Sequence, residues 1–148
     1  MYESFLFIHS YLRWIILVLM LVVIAKSYMG WLGSKEYLKF DETSSKIFQN
    51  LIRLQFVIGL ALYLFLSPLT EAAFADFGAA MKNADLRYWA VEHIFAMFVA
   101  IALIEIGGSK AKKASTAVSK FKFQAIFFTI ALLIMLSRIP LDAERLFR

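Results

Sequence analysis

Few ionisable side chains stand inside the apolar runs of this chain: His9, Arg13, Arg53, Glu92, His93, Glu105 and Arg138. Such groups are costly in apolar surroundings and normally face a protein interior, so they mark where chemistry is to be sought. His9 and His93 are the only two histidines. Neutral imidazole is a good ligand for haem iron, and two imidazoles suit the two axial positions of a b-type haem. With no cysteine in the chain, disulfides, thiolate metal sites, cysteine nucleophiles and covalent haem attachment are excluded. Two axial ligands approach the iron from opposite sides, which needs helix axes roughly 12–14 Å apart, wider than packed neighbours. Diagonal helices of a four-helix bundle provide that separation.

Arg13 follows His9 by four residues and so lies on the same helix face, one turn deeper. Arg13 and Arg138 are candidates to bind haem propionates, since a guanidinium pairs with a carboxylate in a bidentate fashion. Glu92 adjoins His93 but projects about 100° away around a helix. That divergence disfavours a metal site shared by His9, His93 and Glu92. Arg53 and Glu105 fall at a common depth and are expected to pair, with Gln49, Asn50 and Gln55 as polar neighbours. The same group could line a site for a lipid-soluble substrate such as a quinone or porphyrin. A proton path through Glu92 and Glu105 lacks a continuous polar face. No GxSxG, HExxH or Gly-rich phosphate loop is present. The plainer reading makes His9 an interfacial residue beside Tyr11 and His93 an interhelical hydrogen-bonding group.

The elements that hold these residues follow from composition. Of 148 residues, 61% are apolar and 18% charged, with mean hydropathy +0.72, 15 Phe and 2 Pro. Soluble domains run near half apolar and about a quarter charged, so a water-soluble globule and a disordered chain are both disfavoured. Four apolar runs, at about 4–26, 47–67, 88–107 and 121–139, are each near bilayer length. Backbone groups in lipid must be satisfied internally, which makes each run a helix. The expected fold is an all-α integral membrane protein, a single domain of four antiparallel transmembrane helices. Ala96, Ala100 and Gly59 suit close helix approach.

Lysine placement orients the bundle. Nine of ten lysines lie in the connections at 26–46 and 108–122, leaving only Lys82 on the other side. The positive-inside rule makes those connections cytoplasmic and puts both termini and the 68–86 loop outside. The net charge of +5 is thus a topology feature with some attraction to anionic lipid, not a nucleic-acid surface. In this frame His9 and His93 sit at matching depth, roughly 6–8 Å below the outer hydrocarbon boundary. Met1-Tyr2-Glu3 lacks the cation of a signal peptide, so the first run is expected to remain as a span. In the outer loop Thr70 is a candidate N-cap for one amphipathic helix carrying Phe74, Phe77 and Met81, a lid on the membrane surface.

The motifs His9-Ser10-Tyr11-Leu12-Arg13, Ala80-Met81-Lys82 and Val91-Glu92-His93 resemble those of small bacterial four-helix membrane proteins labelled cytochrome b-like. Ile106-Gly107 followed by Ser109-Lys110, and Leu136-Ser137-Arg138-Ile139-Pro140, extend the resemblance over nearly the whole chain. The resemblance implies haem b held by His9 and His93, with Arg13, Glu92 and Arg138 as further site residues. It implies a multi-pass protein of the bacterial inner membrane. Such a protein would carry electrons between a membrane donor such as quinol and a membrane or periplasmic partner, within or beside a respiratory complex. The alternative expectation is a non-catalytic accessory subunit of a larger membrane complex.

Overall fold

A computed structural model describes residues 1–140. α1 (Tyr2–Leu32) is followed by α2 (Lys39–Ala61), which continues into a π-helical turn, Leu62–Leu66. Three short helices follow: α3 (Pro68–Ala75), α4 (Phe77–Ala80) and α5 (Ala84–Arg87). A second π-helical turn, Tyr88–Glu92, leads into α6 (His93–Lys113), and α7 (Ala117–Leu136) completes the described helices. The continuous helical stretches Tyr2–Leu32, Lys39–Leu66, Ala84–Lys113 and Ala117–Leu136 are each long and apolar enough to cross a membrane. No strand occurs among the described residues.

The helices outrun the apolar runs at the lysine-rich end. α1 continues to Leu32, α2 begins at Lys39, and α6 reaches Lys113. Extending a formed helix costs little, and polar residues such as Lys and Glu support it. α7, in contrast, stops at Leu136, three residues short of the apolar run. Pro140 explains the early stop: it lacks an N–H and disfavours α-geometry in the residue before it. Arg138 therefore stands in a turn beyond the helix.

The connection at 68–86 differs from expectation. Ser67, not Thr70, precedes the first helix, with Pro68 preorganised at its first position. Thr70 lies inside α3 and donates to the carbonyls of Tyr63 (2.8 Å) and Ser67 (3.0 Å). The single amphipathic helix is broken at Asp76, whose carboxylate accepts from Ala79 N at 2.9 Å and so starts α4.

Neighbouring long helices run in opposite directions. The end of α1 meets the start of α2 through Lys26–Asp41 (3.0 Å), while Gln55, late in α2, reaches the carbonyl of His9 (2.8 Å). Tyr88 ahead of α6 likewise reaches Arg138 beyond α7. α1 packs on α2 and α7, and α6 packs on α7 and more lightly on α2. α1 and α6 are therefore diagonal. The buried centre is built from Ile16 and Met20, Phe48 and Ile52, Ala100 and Ile104, and Phe128 and Ala131, with one pair from each long helix. Phe48 and Phe128 meet across the other diagonal, ring centroids 5.3 Å apart. The outward faces stay apolar: Phe95 is 68% exposed, and Val18 and Leu133 are 63%. A water-soluble bundle would place polar residues there; hydrocarbon accepts these as they stand.

At the lysine-rich end a buried polar network locks three helices. Gln124 is hydrogen-bonded to Ser27 (3.2 Å), Ser45 (3.0 Å) and the hydroxyl of Tyr37 (2.8 Å). Burial of a polar amide is tolerated because each of its ends finds a partner.

Candidate functional site

At the opposite end, a mainly apolar cavity of about 240 Å³ opens between the long helices. His9 and Arg13 from α1 and His93 from α6 all border it. The two imidazoles thus come from diagonal helices to one space, as depth counting and sequential helix order anticipated. Leu69 and Thr70 place α3 over the end of the cavity away from the lysine-rich connections.

Each histidine is fixed by its surroundings. Nδ1 of His93 is 3.0 Å from the main-chain oxygen of Arg138. A carbonyl only accepts, so Nδ1 carries the proton and Nε2 of the neutral ring keeps its lone pair. This is the arrangement in which imidazole usually ligates a metal. Trp89 and Tyr88 flank the ring, with centroids 5.4 Å and 5.9 Å away. His9 is held from two sides. Gln55 Nε2 donates to its carbonyl, and its ring edge lies over Gly59, where an added Cβ would be 2.9 Å from His9 Cε1. Nδ1 of His9 and Oε1 of Gln55 are both buried without a hydrogen-bond partner among the described residues. Buried polar atoms are rarely left so, and here both belong to residues that border the cavity.

Both π-helical turns lie beside this cavity, contributing Leu62, Tyr63 and Trp89 to its wall. A π turn closes an i→i+5 bond, seen at Ser67 N to Leu62 O (2.8 Å), and locally redirects the side chains around it. The Tyr63 hydroxyl donates to the carbonyl of Ala90 (2.7 Å), joining one π turn to the other. Such turns concentrate at functional sites.

Arg138 and Glu92 take different positions. Neither side chain borders the cavity. Glu92 accepts from Arg87 Nε at 2.9 Å and lies 3.7 Å from Arg138 Nε. Arg138 serves His93 through its backbone instead. Arg87, not singled out from the sequence, engages Glu92 across one helical turn plus the π insertion. Gln55, grouped with the other end of α2, belongs to this cavity; its four-residue spacing from Gly59 is the feature that places both on one face. Arg53 and Glu105 do pair as expected, through two 2.8 Å bonds, with Asn50 accepting from the same guanidinium at 2.9 Å.

No three His, Cys, Asp or Glu side chains converge as a metal site among the described residues. Two imidazoles nonetheless suffice for an iron porphyrin, whose other four ligands are pyrrole nitrogens. Comparison of the chain with family models, with curated proteins and with solved structures finds no match.

Proposed function

We propose that this chain is a four-span protein of the bacterial inner membrane that holds one b-type haem between His9 and His93 and takes part in single-electron transfer. The observation that carries the reading is the meeting of two imidazoles from diagonal helices in one apolar cavity. Lysine placement supports an outward-facing cavity, with both termini outside and the lysine-rich connections inside. The motif resemblance to cytochrome b-like proteins supports the same assignment.

Donor atoms suited to the group are present at the cavity. His93 offers Nε2, because Arg138 O holds the proton on Nδ1. His9 brings a buried ring nitrogen that has no protein partner among the described residues. Arg13 is the cation at the cavity wall suited to a propionate. Gly59 leaves room for the His9 ring. When bound, haem supplies reversible one-electron oxidation and reduction of its iron. The chain's own work is to hold both rings at fixed positions and to keep water away with apolar walls and the α3 cover. The cavity lies near one end of the bundle, so the protein needs a donor and an acceptor that reach that end: a bilayer quinol and a membrane or periplasmic redox partner.

The test is a reduced-minus-oxidised optical spectrum of the purified chain expressed with ample haem. Sharp b-type bands are expected. A colourless protein overturns the assignment, and its co-migration with a large assembly in native membranes would make it an accessory subunit.

A further inference from the structure

A second cleft, of about 670 Å³, opens at the lysine-rich end where α2 and α6 pack lightly. Lys46, Arg53, Lys112 and Lys120 line it, against the carboxylates of Glu42 and Glu105. Both carboxylates are already engaged. Glu42 pairs with Lys46 one turn along α2, and Glu105 takes both ends of the Arg53 fork. Neither Lys112 nor Lys120 forms a close ion pair among the described residues, although Lys120 also attracts Glu42 through space. Lys120 Nζ lies 3.2 Å from Ala111 O and 3.4 Å from Lys112 O, contacts that place it over the end of α6 without neutralising it.

The neutral groups point the same way. Arginine only donates, so the 2.9 Å contact to Arg53 fixes Asn50 Oδ1 inward and leaves its NH2 as a donor. The Tyr37 phenol is neutral at physiological pH, so that wall of the cleft carries no charge. Ile47, Leu54 and Ile106 are exposed apolar residues that neighbour the cleft residues Lys46, Arg53 and Glu105 in sequence on α2 and α6.

We infer that this cleft is a site for a phosphate group, with Lys112, Lys120 and Asn50 as its donors. Lysine binds phosphate as a point charge, and basic pockets between membrane helices take lipid headgroups in this manner. The same chemistry would hold a phospholipid headgroup with its acyl chains on those exposed apolar residues, or a free phosphate. The inference rests on the membrane reading of the helices and not on haem, so a colourless protein leaves it standing.

The experiment is lipid retention by the full chain in detergent, read by native mass spectrometry with phosphatidylglycerol and phosphatidylcholine as probes. Phosphatidylglycerol is expected to be retained in preference, and each of Lys112→Gln and Lys120→Gln should weaken it about fivefold. The Lys112 side chain makes no hydrogen bond or ion pair among the described residues, so K112Q tests the site even if K120Q loosens α6. Lys110→Gln is the control: Lys110 lies outside the cleft, over the Phe123 ring at 5.5 Å, and should have no effect. Inorganic phosphate that displaces the lipid assigns the site to a free phosphate; failure to displace a retained lipid assigns it to the headgroup. Equal retention of both lipids, retention of neither probe, or a K110Q loss equal to that of K112Q overturns the inference.

Discussion

The imidazole of His93 and the backbone oxygen of Arg138 are joined at 3.0 Å, and the Tyr88 hydroxyl donates to that same oxygen at 2.5 Å. One carbonyl beyond the end of α7 thereby sets both the tautomer and the orientation of a ring on α6. His93→Ala is expected to abolish the six-coordinate low-spin spectrum of the haem-loaded protein. Tyr88→Phe should keep that spectrum while losing about 1 kcal/mol of stability in thermal unfolding. An unchanged spectrum in His93→Ala would remove this residue from the site.

Gly59→Ala tests the other ring. The new methyl would sit 2.9 Å from His9 Cε1, so the ring must move or the helices must part. Overpacking of this kind costs about 1–3 kcal/mol. The expected result is a lower unfolding temperature and a weakened or altered haem spectrum. Wild-type behaviour in both measurements would show that the ring is not held against α2.

The two π-helical turns are linked through Tyr63 and Ala90. Tyr63→Phe should cost about 1 kcal/mol, the worth of one partly buried hydrogen bond. Hydrogen exchange should rise locally around 62–66 and 88–92 and stay constant at the lysine-rich end. A uniform rise along the chain would contradict a local clasp.

Arg53 and Glu105 form a two-pronged pair, about half and two-fifths exposed respectively. Partial exposure limits its value, so Arg53→Ala or Glu105→Ala is expected to cost about 1 kcal/mol each. The double variant should cost less than the sum, because neither charge is then left alone. Strict additivity in a double-mutant cycle would mean the pair contributes nothing.

Much of this arrangement was legible from the residues. Counting depth along four apolar runs placed His9 with His93 and Arg53 with Glu105, because rise per residue is fixed and neighbouring helices alternate in direction. What periodicity missed has local causes. The π turns add a residue without changing the apolar pattern. Pro68 and Asp76 set helix starts in the 68–86 connection and displaced Thr70 from the cap to the interior of α3. Glu92 was drawn to Arg87, five residues away, a spacing that regular α-helical periodicity does not pair. Arg138 acts through a main-chain atom, and sequence patterns address side chains only.

α1 and α6 occupy opposite corners of the bundle and share little surface of their own. On the proposed reading, a haem held from both corners would be a brace between struts that otherwise meet mainly through their neighbours. Binding that favours the folded chain stabilises it by mass action. If the chain holds that group, its maturation would track the cell's supply, with starved cells accumulating a looser, protease-sensitive form.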